Sequence, residues 1–233
     1  MKPLPWSFSS LNKFVTCPMQ YYETKVLGNF KDEPGEVAQW GTYVHKCIED
    51  TVNMVESIEE VAVKRAWFEA SFPENAKIYM PQVLTAIGEM ESMGCAECEM
   101  ALSSSFAPCE WQDGWVRGII DLLKVSGSEA WCVDWKLGKV KPDSKQLKLF
   151  ALMVFYHYPT VNTVHTSFEW LQFKQQTKET YTRDQIPELW AVFEKDLQQY
   201  VQAFKTDIWQ CRPSGLCRGW CPVESCQHWR PKK

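Results

Sequence analysis

The 233-residue sequence contains no apolar run of roughly 18 residues, so it offers no candidate transmembrane helix. Its opening residues, Met1-Lys2-Pro3-Leu4-Pro5-Trp6, lack an apolar core of signal-peptide length. A soluble, cytoplasmic protein is expected. An excess of positive charge is also lacking, with 25 Lys and Arg against 29 Asp and Glu. The net charge of −4 excludes a global basic field of the kind that coats nucleic acid, though not a site that grips a few phosphates locally. No G-x-x-x-x-G-K-[ST] motif occurs, so any nucleotide-driven unwinding must come from a partner. Internal repeats, low-complexity runs and an obvious interdomain linker are missing as well. A single domain over residues 1–233 is the simplest expectation.

Cysteine and tryptophan are plentiful, with 10 and 12 residues. Clustered cysteines in a reducing compartment suggest a metal centre, not disulfides. Cys211, Cys217, Cys221 and Cys226 crowd into the tail, which has little apolar material of its own for packing. Thiolate coordination would supply ordering energy there. Cys217, Cys221 and Cys226 are spaced compactly enough to share one centre. Cys47 and Cys132 lie among apolar residues and read as packing residues. Cys95 and Cys98 form a C-x-x-C without thioredoxin-like surroundings, which gives little support to a redox protein. Trp135 reads as core; Trp209, Trp220 and Trp229 flank the tail cysteines and are expected to wrap their centre.

Hydrophobic periodicity predicts a helical first part and a strand-rich second part. Ser7 to Ser10 offer N-caps for a short helix that ends before Cys17-Pro18, and Met19–Glu23 restarts it. Helices are expected over about 37–57, 58–72 and 76–93, the last interrupted near Pro81. Strands are expected over about 95–106, 115–125, 130–136 and 164–173. Further helices are expected over about 146–156 and 183–205. The order implies an α/β domain with a helical N-terminal portion. Its boundaries are a mostly helical insertion over about 37–100, a catalytic sheet core over about 101–175, and a cysteine-rich tail over 206–233 that closes on Cys17.

The chemistry concentrates in one hairpin. With Ser126-Gly127-Ser128-Glu129 as its loop, Val125 faces Ala130 and, with no bulge, Asp121 faces Asp134. Directly opposed like charges are unfavourable unless a cation sits between them. Lys136 shares the face of Asp134, because strand side chains alternate with period two. Oxygen ligands suit magnesium or manganese, and the backbone carbonyl of Trp135 can add another. Such an ion activates water and stabilises charge on a phosphate oxygen. Lys136 can orient or deprotonate that water, or stabilise the developing charge. Lys139, Lys141, Lys145 and Lys148 follow closely and either meet a phosphate backbone or form a solvated face.

Several ordered motifs around this hairpin resemble those of the PD-(D/E)xK nucleases, specifically the RecB-type exonuclease branch. They are Ser7-Phe8-Ser9-Ser10-Leu11 with Cys17-Pro18, then Gly41-Thr42-Tyr43-Val44-His45 with Glu49. Gly118-Ile119-Ile120-Asp121, Val133-Asp134-Trp135-Lys136-Leu137-Gly138 and Gln146-Leu147-Lys148-Leu149-Phe150 follow. The resemblance implies a restriction-endonuclease-like mixed β-sheet core flanked by helices. It implies His45, Asp121, Asp134 and the Trp135 carbonyl as ligands of Mg2+ or Mn2+. Asp121, Asp134, Lys136 and Gln146 would be the catalytic set. Glu49, one helical turn from His45, would support the metal shell or bond the histidine, or be a solvated glutamate. Phe150 departs from the family pattern, which has tyrosine there, so no hydroxyl is available at that position.

Members of this branch also carry a four-cysteine cluster with one upstream and three tail ligands. The resemblance therefore implies a [4Fe–4S] centre on Cys17, Cys217, Cys221 and Cys226, with zinc as the alternative. The tail spacing departs from the usual one by about a residue, which leaves Cys211 as a substitute. The implied activity is a metal-dependent deoxyribonuclease, an exonuclease acting on DNA ends in recombination, repair or phage DNA metabolism. Its substrate would carry single-stranded ends. A helicase, a single-strand-binding protein or a recombination protein would be its partner, in a bacterial or phage-infected cell. The alternative is a non-catalytic protein that binds DNA ends or a helicase and is stabilised by the same cysteine centre.

Overall fold

The computed structural model describes residues 1–55, 58, 60–89 and 94–231. They fall into two compact units, one of Gly35–Leu189 and one of Met1–Pro34 with Trp190–Lys233. In chain order the helices are α1 (Phe8–Thr16), α2 (Pro18–Tyr21), α3 (Glu36–Val55), α4 (Val61–Ser71), α5 (Met80–Glu89), α6 (Lys145–His157) and α7 (Ile186–Thr206). The strands are β1 (Cys95–Leu102), β2 (Val116–Ser126), β3 (Glu129–Lys136), β4 (Thr163–Trp170) and β5 (Gln175–Thr182). Among the described residues no helix is long and apolar enough to cross a membrane.

The Gly35–Leu189 unit is built on a five-stranded mixed sheet in the order β1-β2-β3-β4-β5. Three pairings are antiparallel, while β3 and β4 run parallel, with α6 as the crossover between them. A parallel pair needs such a long connection, and a helix is its usual form. One face of the sheet presents Leu122, Val133 and Trp135 to α3, α4 and α5. On α3 the buried residues Val44, Cys47, Ile48, Thr51, Val52 and Val55 recur at three- and four-residue steps, the stripe an amphipathic helix turns to a core. On the other face lies α6, whose residues from Leu149 to Phe155 are all buried. Gly118 of β2 meets α6 closely: a Cβ there would lie 2.6 Å from Met153 Sδ. Leu122, four residues on, packs with the α3 side instead, so the inside–outside alternation of β2 shifts once between them, beside Asp121.

This is the expected mixed sheet flanked by helices, with adjusted boundaries. The sheet begins at Cys95 and ends at Thr182, not at about 101 and 175. The residues of β1 before Met100 have weak strand preference and are recruited by pairing with β2. β5 has no counterpart among the expected strands. It is a polar edge strand in which only Tyr181 is buried, so no apolar alternation announces it. The expected interruption near Pro81 is present: a 3-10 helix over Glu74–Tyr79 gives way to α5 at Met80, and Pro81 marks the new start. It lies in the first turn of α5, where its missing N–H leaves no bond unmade. The expected ends of helices at 57 and 93, and the start of the next at 58–59, involve residues outside the described set or flanking it.

In the second unit, Ser7 caps α1 through a reciprocal pair with Ser10. Cys17, extended, separates α1 from α2, and Pro18 starts the new helix. Phe14, Tyr21, Tyr200, Phe204 and Trp209 form an aromatic core with edge and stacked contacts 4.9–6.4 Å apart. The buried hydroxyls of Tyr21 and Tyr200 share a hydrogen bond of 2.7 Å.

Candidate active site

The β2–β3 ladder runs in register from Ser126↔Glu129 to Leu122↔Val133, which brings Asp121 level with Asp134. The connecting turn is tighter than expected, since Ser126 and Glu129 already pair and Gly127 takes a positive φ of 59°. The register is the same as with the longer loop. Lys136 follows on the face of Asp134, and α6 starts nearby with Gln146.

These side chains interlock. Lys136 Nζ lies 2.5 Å from Asp134 Oδ2 and donates to Gln146 Oε1 at 3.0 Å. Gln146 Nε2 donates to Asp134 Oδ1 at 2.8 Å. The Lys136 ammonium also sits 5.1 Å above the Phe168 ring. The Trp135 peptide is clamped from both ends. Its N–H donates to Asp121 Oδ2 at 2.8 Å, and its carbonyl lies 2.8 Å from His45 Nε2. A proton on Nε2 therefore donates to Trp135 and leaves the Nδ1 lone pair facing Asp121 Oδ2, 3.3 Å away. His45 reaches this place from α3, its flank anchored by the buried Val44 and Ile48.

Burial dominates the electrostatics. It raises the carboxyls of Asp121 and Asp134 above the usual carboxylate range, Asp121 well above it, with the Asp134 charge adding to the rise at Asp121. Lys136 pulls the other way at both. Burial lowers the His45 pKa, against the opposing pull of Asp134, so the ring is held neutral, the form that ligates metals. A buried pair of carboxylates is costly in charged form unless a cation offsets it.

Glu97, which no motif singles out, joins the site. One ligand atom each from His45, Glu97 and Asp121 lie within 4.8 Å of one another, a group that can hold a metal ion. Glu97 is level with Asp121 on β1, between the pairs Ala96↔Leu122 and Cys98↔Ile120. Its φ of +49° is a left-handed conformation that costs a non-glycine residue about 1–3 kcal/mol and tends to persist at functional sites. Only the β1–β2 register reveals its place. Asp134 is not in this ligand group; Lys136 and Gln146 take up its oxygens. Glu49 shares the cleft but pairs with Lys46 at 3.0 Å, while both ring nitrogens of His45 go elsewhere. Phe150 is buried one turn after Gln146. Lys148 pairs with Glu179 at 3.3 Å, whereas Lys139 and Lys141 are exposed.

In the other unit the tail meets Cys17. The Arg212 N–H donates to Cys17 Sγ at 3.5 Å, the Ser214 N–H to Cys217 Sγ at 3.5 Å, and Cys211 Sγ lies 3.7 Å from Cys226 Sγ. Burial, then hydrogen bonding to Cys226 and the nearby charges of Cys17 and Cys217, push the Cys211 thiol up to about 11. Cys221 is raised by burial first, with Cys17, Cys217 and Cys226 adding to it. Five thiols, Cys211 included, thus share one neighbourhood, and backbone N–H groups already point at two of the sulfurs. Among the described residues no three of these sulfurs lie within 4.8 Å of one another, as the His45, Glu97 and Asp121 ligand atoms do. Trp229 donates to the Cys221 carbonyl at 3.1 Å, as expected of a residue that wraps this loop. Trp209 stacks on Tyr22 beside the aromatic core, and Trp220 is 67% exposed. Cys47 and Cys132 are buried, as packing residues are, and Cys95 and Cys98 lie side by side at the start of β1.

Comparison with curated proteins finds no match. Among solved structures, a protein of Eubacterium rectale named "Putative exonuclease" aligns with a TM-score of 0.54 over 96% of this chain and 86% of its own, at 13% identity. At that identity the likeness is one of fold. The sequence profile of the PD-(D/E)XK nuclease superfamily matches residues 5–227, which include His45, Asp121, Asp134, Lys136 and Gln146. The chain belongs to the PD-(D/E)XK nuclease superfamily.

Proposed function

We propose that the protein is a metal-dependent DNA exonuclease of the RecB-type branch. The observation that carries this reading is the interlocked set of Asp121, Asp134, Lys136 and Gln146 beside His45 at the end of the β2–β3 hairpin. His45, Asp121, Asp134 and the Trp135 carbonyl, with Glu97 added, would hold Mg2+ or Mn2+. When bound, the ion supplies an activated water and charge stabilisation at the scissile phosphate. The protein's own part is orientation. Lys136, held between Asp134 and Gln146, is aimed where its ammonium can meet a phosphate oxygen or orient the attacking water. Gln146 fixes both neighbours and can donate to the phosphate once Asp134 turns to the metal. His45 stays neutral and holds the Trp135 peptide in place.

On this reading Cys17, Cys217, Cys221 and Cys226 bind a structural [4Fe–4S] cluster, with zinc as the alternative and Cys211 in reserve. Work on DNA with single-stranded ends beside a helicase, a single-strand-binding protein or a recombination protein, in the cytoplasm of a bacterial or phage-infected cell, suits the lack of a motor motif. The test is end-labelled single- and double-stranded DNA, linear and circular, with each divalent metal. Metal-dependent release of nucleotides from linear DNA alone is expected. Equal cutting of closed circles removes the exonuclease assignment, and no cleavage with any metal removes the nuclease assignment. Glu97→Gln should weaken Mn2+ binding about 10–100-fold, as removal of a supporting or coordinating group does. Calorimetric titration that finds unchanged affinity takes Glu97 out of the site.

A further inference from the structure

Gly41 stands on α3 one helical turn before His45, in the wall of the cleft of about 380 Å³ that also contains Glu97 and Asp121. Glycine is among the poorest helix formers, so a glycine well inside a 20-residue helix calls for a cause. Packing does not supply one: a Cβ built on Gly41 would meet no atom within 4 Å. By contrast, a Cβ at Gly114 or Gly118 of the same unit would lie 2.7 Å or 2.6 Å from a neighbour. Backbone geometry does not supply one either, since Gly41 is not among the glycines of positive φ. Gly88 is also helical and open, but it lies at the end of α5, where glycine is ordinary. What Gly41 leaves free is the space in front of α3, in the cleft where the His45, Glu97 and Asp121 ligand atoms converge.

We propose that Gly41 is a specificity-determining residue: it keeps the wall of α3 bare so that the nucleotide next to the scissile phosphate can lie against the helix. This rests on the nuclease reading above. One helical turn is about 5.4 Å, and one strand of duplex DNA advances about 3.4 Å per nucleotide, so Gly41 faces a neighbour of the nucleotide at His45. A side chain here would fill the path of the strand while leaving the metal ligands in place. The helix itself would gain from the change. Gly41 thus sets access to substrate against helix stability, and a substitution should move the two in opposite directions.

Gly41→Ala and Gly41→Leu are compared with the parent, with Mn2+, on two substrates. One is an end-labelled DNA oligonucleotide. The other is bis(4-nitrophenyl) phosphate, a phosphodiester without flanking nucleotides. Gly41→Ala should raise Tm by about 2–4 °C. Its kcat/KM on DNA should fall about tenfold, and that of Gly41→Leu about 100-fold or more, while cleavage of the small diester is retained. Folded Gly41→Leu that cuts DNA as fast as the parent overturns the proposal. So does a parallel loss on both substrates, which would assign Gly41 to the metal site itself. A parent inactive on both substrates overturns the nuclease reading, and this inference with it.

Discussion

Asp134→Asn is expected to lower metal-dependent DNA cleavage by about 10³-fold or more, since ligand-held charge stabilisation is worth several kcal/mol in the transition state. The same variant should be more stable than the metal-free parent at neutral pH. The cause is the elevated carboxyls of Asp121 and Asp134, raised first by burial. In the unfolded chain an aspartate titrates near about 3.9. Between that value and the raised folded ones, the folded protein holds protons that the unfolded chain has released. The stability contributed by this pair is therefore full below the unfolded pKa and declines as pH rises through the folded values. Asparagine removes one of the two charges and with it part of the decline. In the parent, Mn2+ should restore what the rising pH removes. At about 100 times its dissociation constant an ion adds about 2.7 kcal/mol, and it does so only where the carboxyls can ionise. Thermal melts at pH 5 and pH 8, with and without Mn2+, read this directly. A metal-induced rise in Tm that is as large in Asp134→Asn as in the parent, or undiminished at pH 5, would rule out the assignment of these carboxylates as ligands.

Cys17→Ser should be the most damaging single change to stability. Among the described residues the tail after α7 contains no regular element beyond a single turn over Gly215–Cys217, and its thiols lie near Cys17. A structural zinc contributes roughly 10 kcal/mol or more to the folding of small domains. Loss of a third of such a contribution lowers Tm by roughly 6–13 °C in a chain of this size. Anaerobic purification should give a brown parent with broad absorbance near about 400 nm, and a colourless Cys17→Ser protein. A colourless parent with stoichiometric zinc replaces the cluster by zinc but keeps the clasp. A variant that melts like the parent and retains its metal removes Cys17 from the centre. Cys211→Ser separates the fifth thiol from the four: retained colour makes it a neighbour, and lost colour makes it a ligand.

Much of this was legible in residues alone, for identifiable reasons. The period of Val37, Trp40, Val44, Ile48 and Val52 announces a helix bearing His45, and the last three of them are buried while Val37 is exposed. The β2–β3 register from Ser126↔Glu129 to Leu122↔Val133 followed from the hairpin turn, because paired residues keep their count however tight the loop, whereas the shift in β2 beside Asp121 was not legible. Glu97 was not legible. Its role depends on how β1 pairs with β2 and on a backbone angle that no propensity announces for glutamate. β5 was missed because an edge strand buries too little to impose alternation. The cysteines suggested a centre by number and closeness in sequence. Which four would serve was not legible, because five sulfurs share one neighbourhood. Trp209, next to the tail cysteines in sequence, also completes the aromatic core through Tyr22 and Phe204, which its place in the sequence does not announce.

The unit that holds the thiols draws on residues 1–34 and on residues 190–233, with the whole sheet unit coming between them in sequence. On the ribosome, at roughly 5–20 residues per second, the intervening stretch occupies roughly ten seconds or longer. Throughout that interval Phe14, Tyr21 and Cys17 have no Tyr200, Trp209 or tail cysteine to meet. The sheet unit can fold during synthesis, whereas the thiol unit must assemble afterwards. The order of assembly is therefore set by the chain, and a ribosome that stalls before Cys211 leaves Cys17 on an unassembled segment.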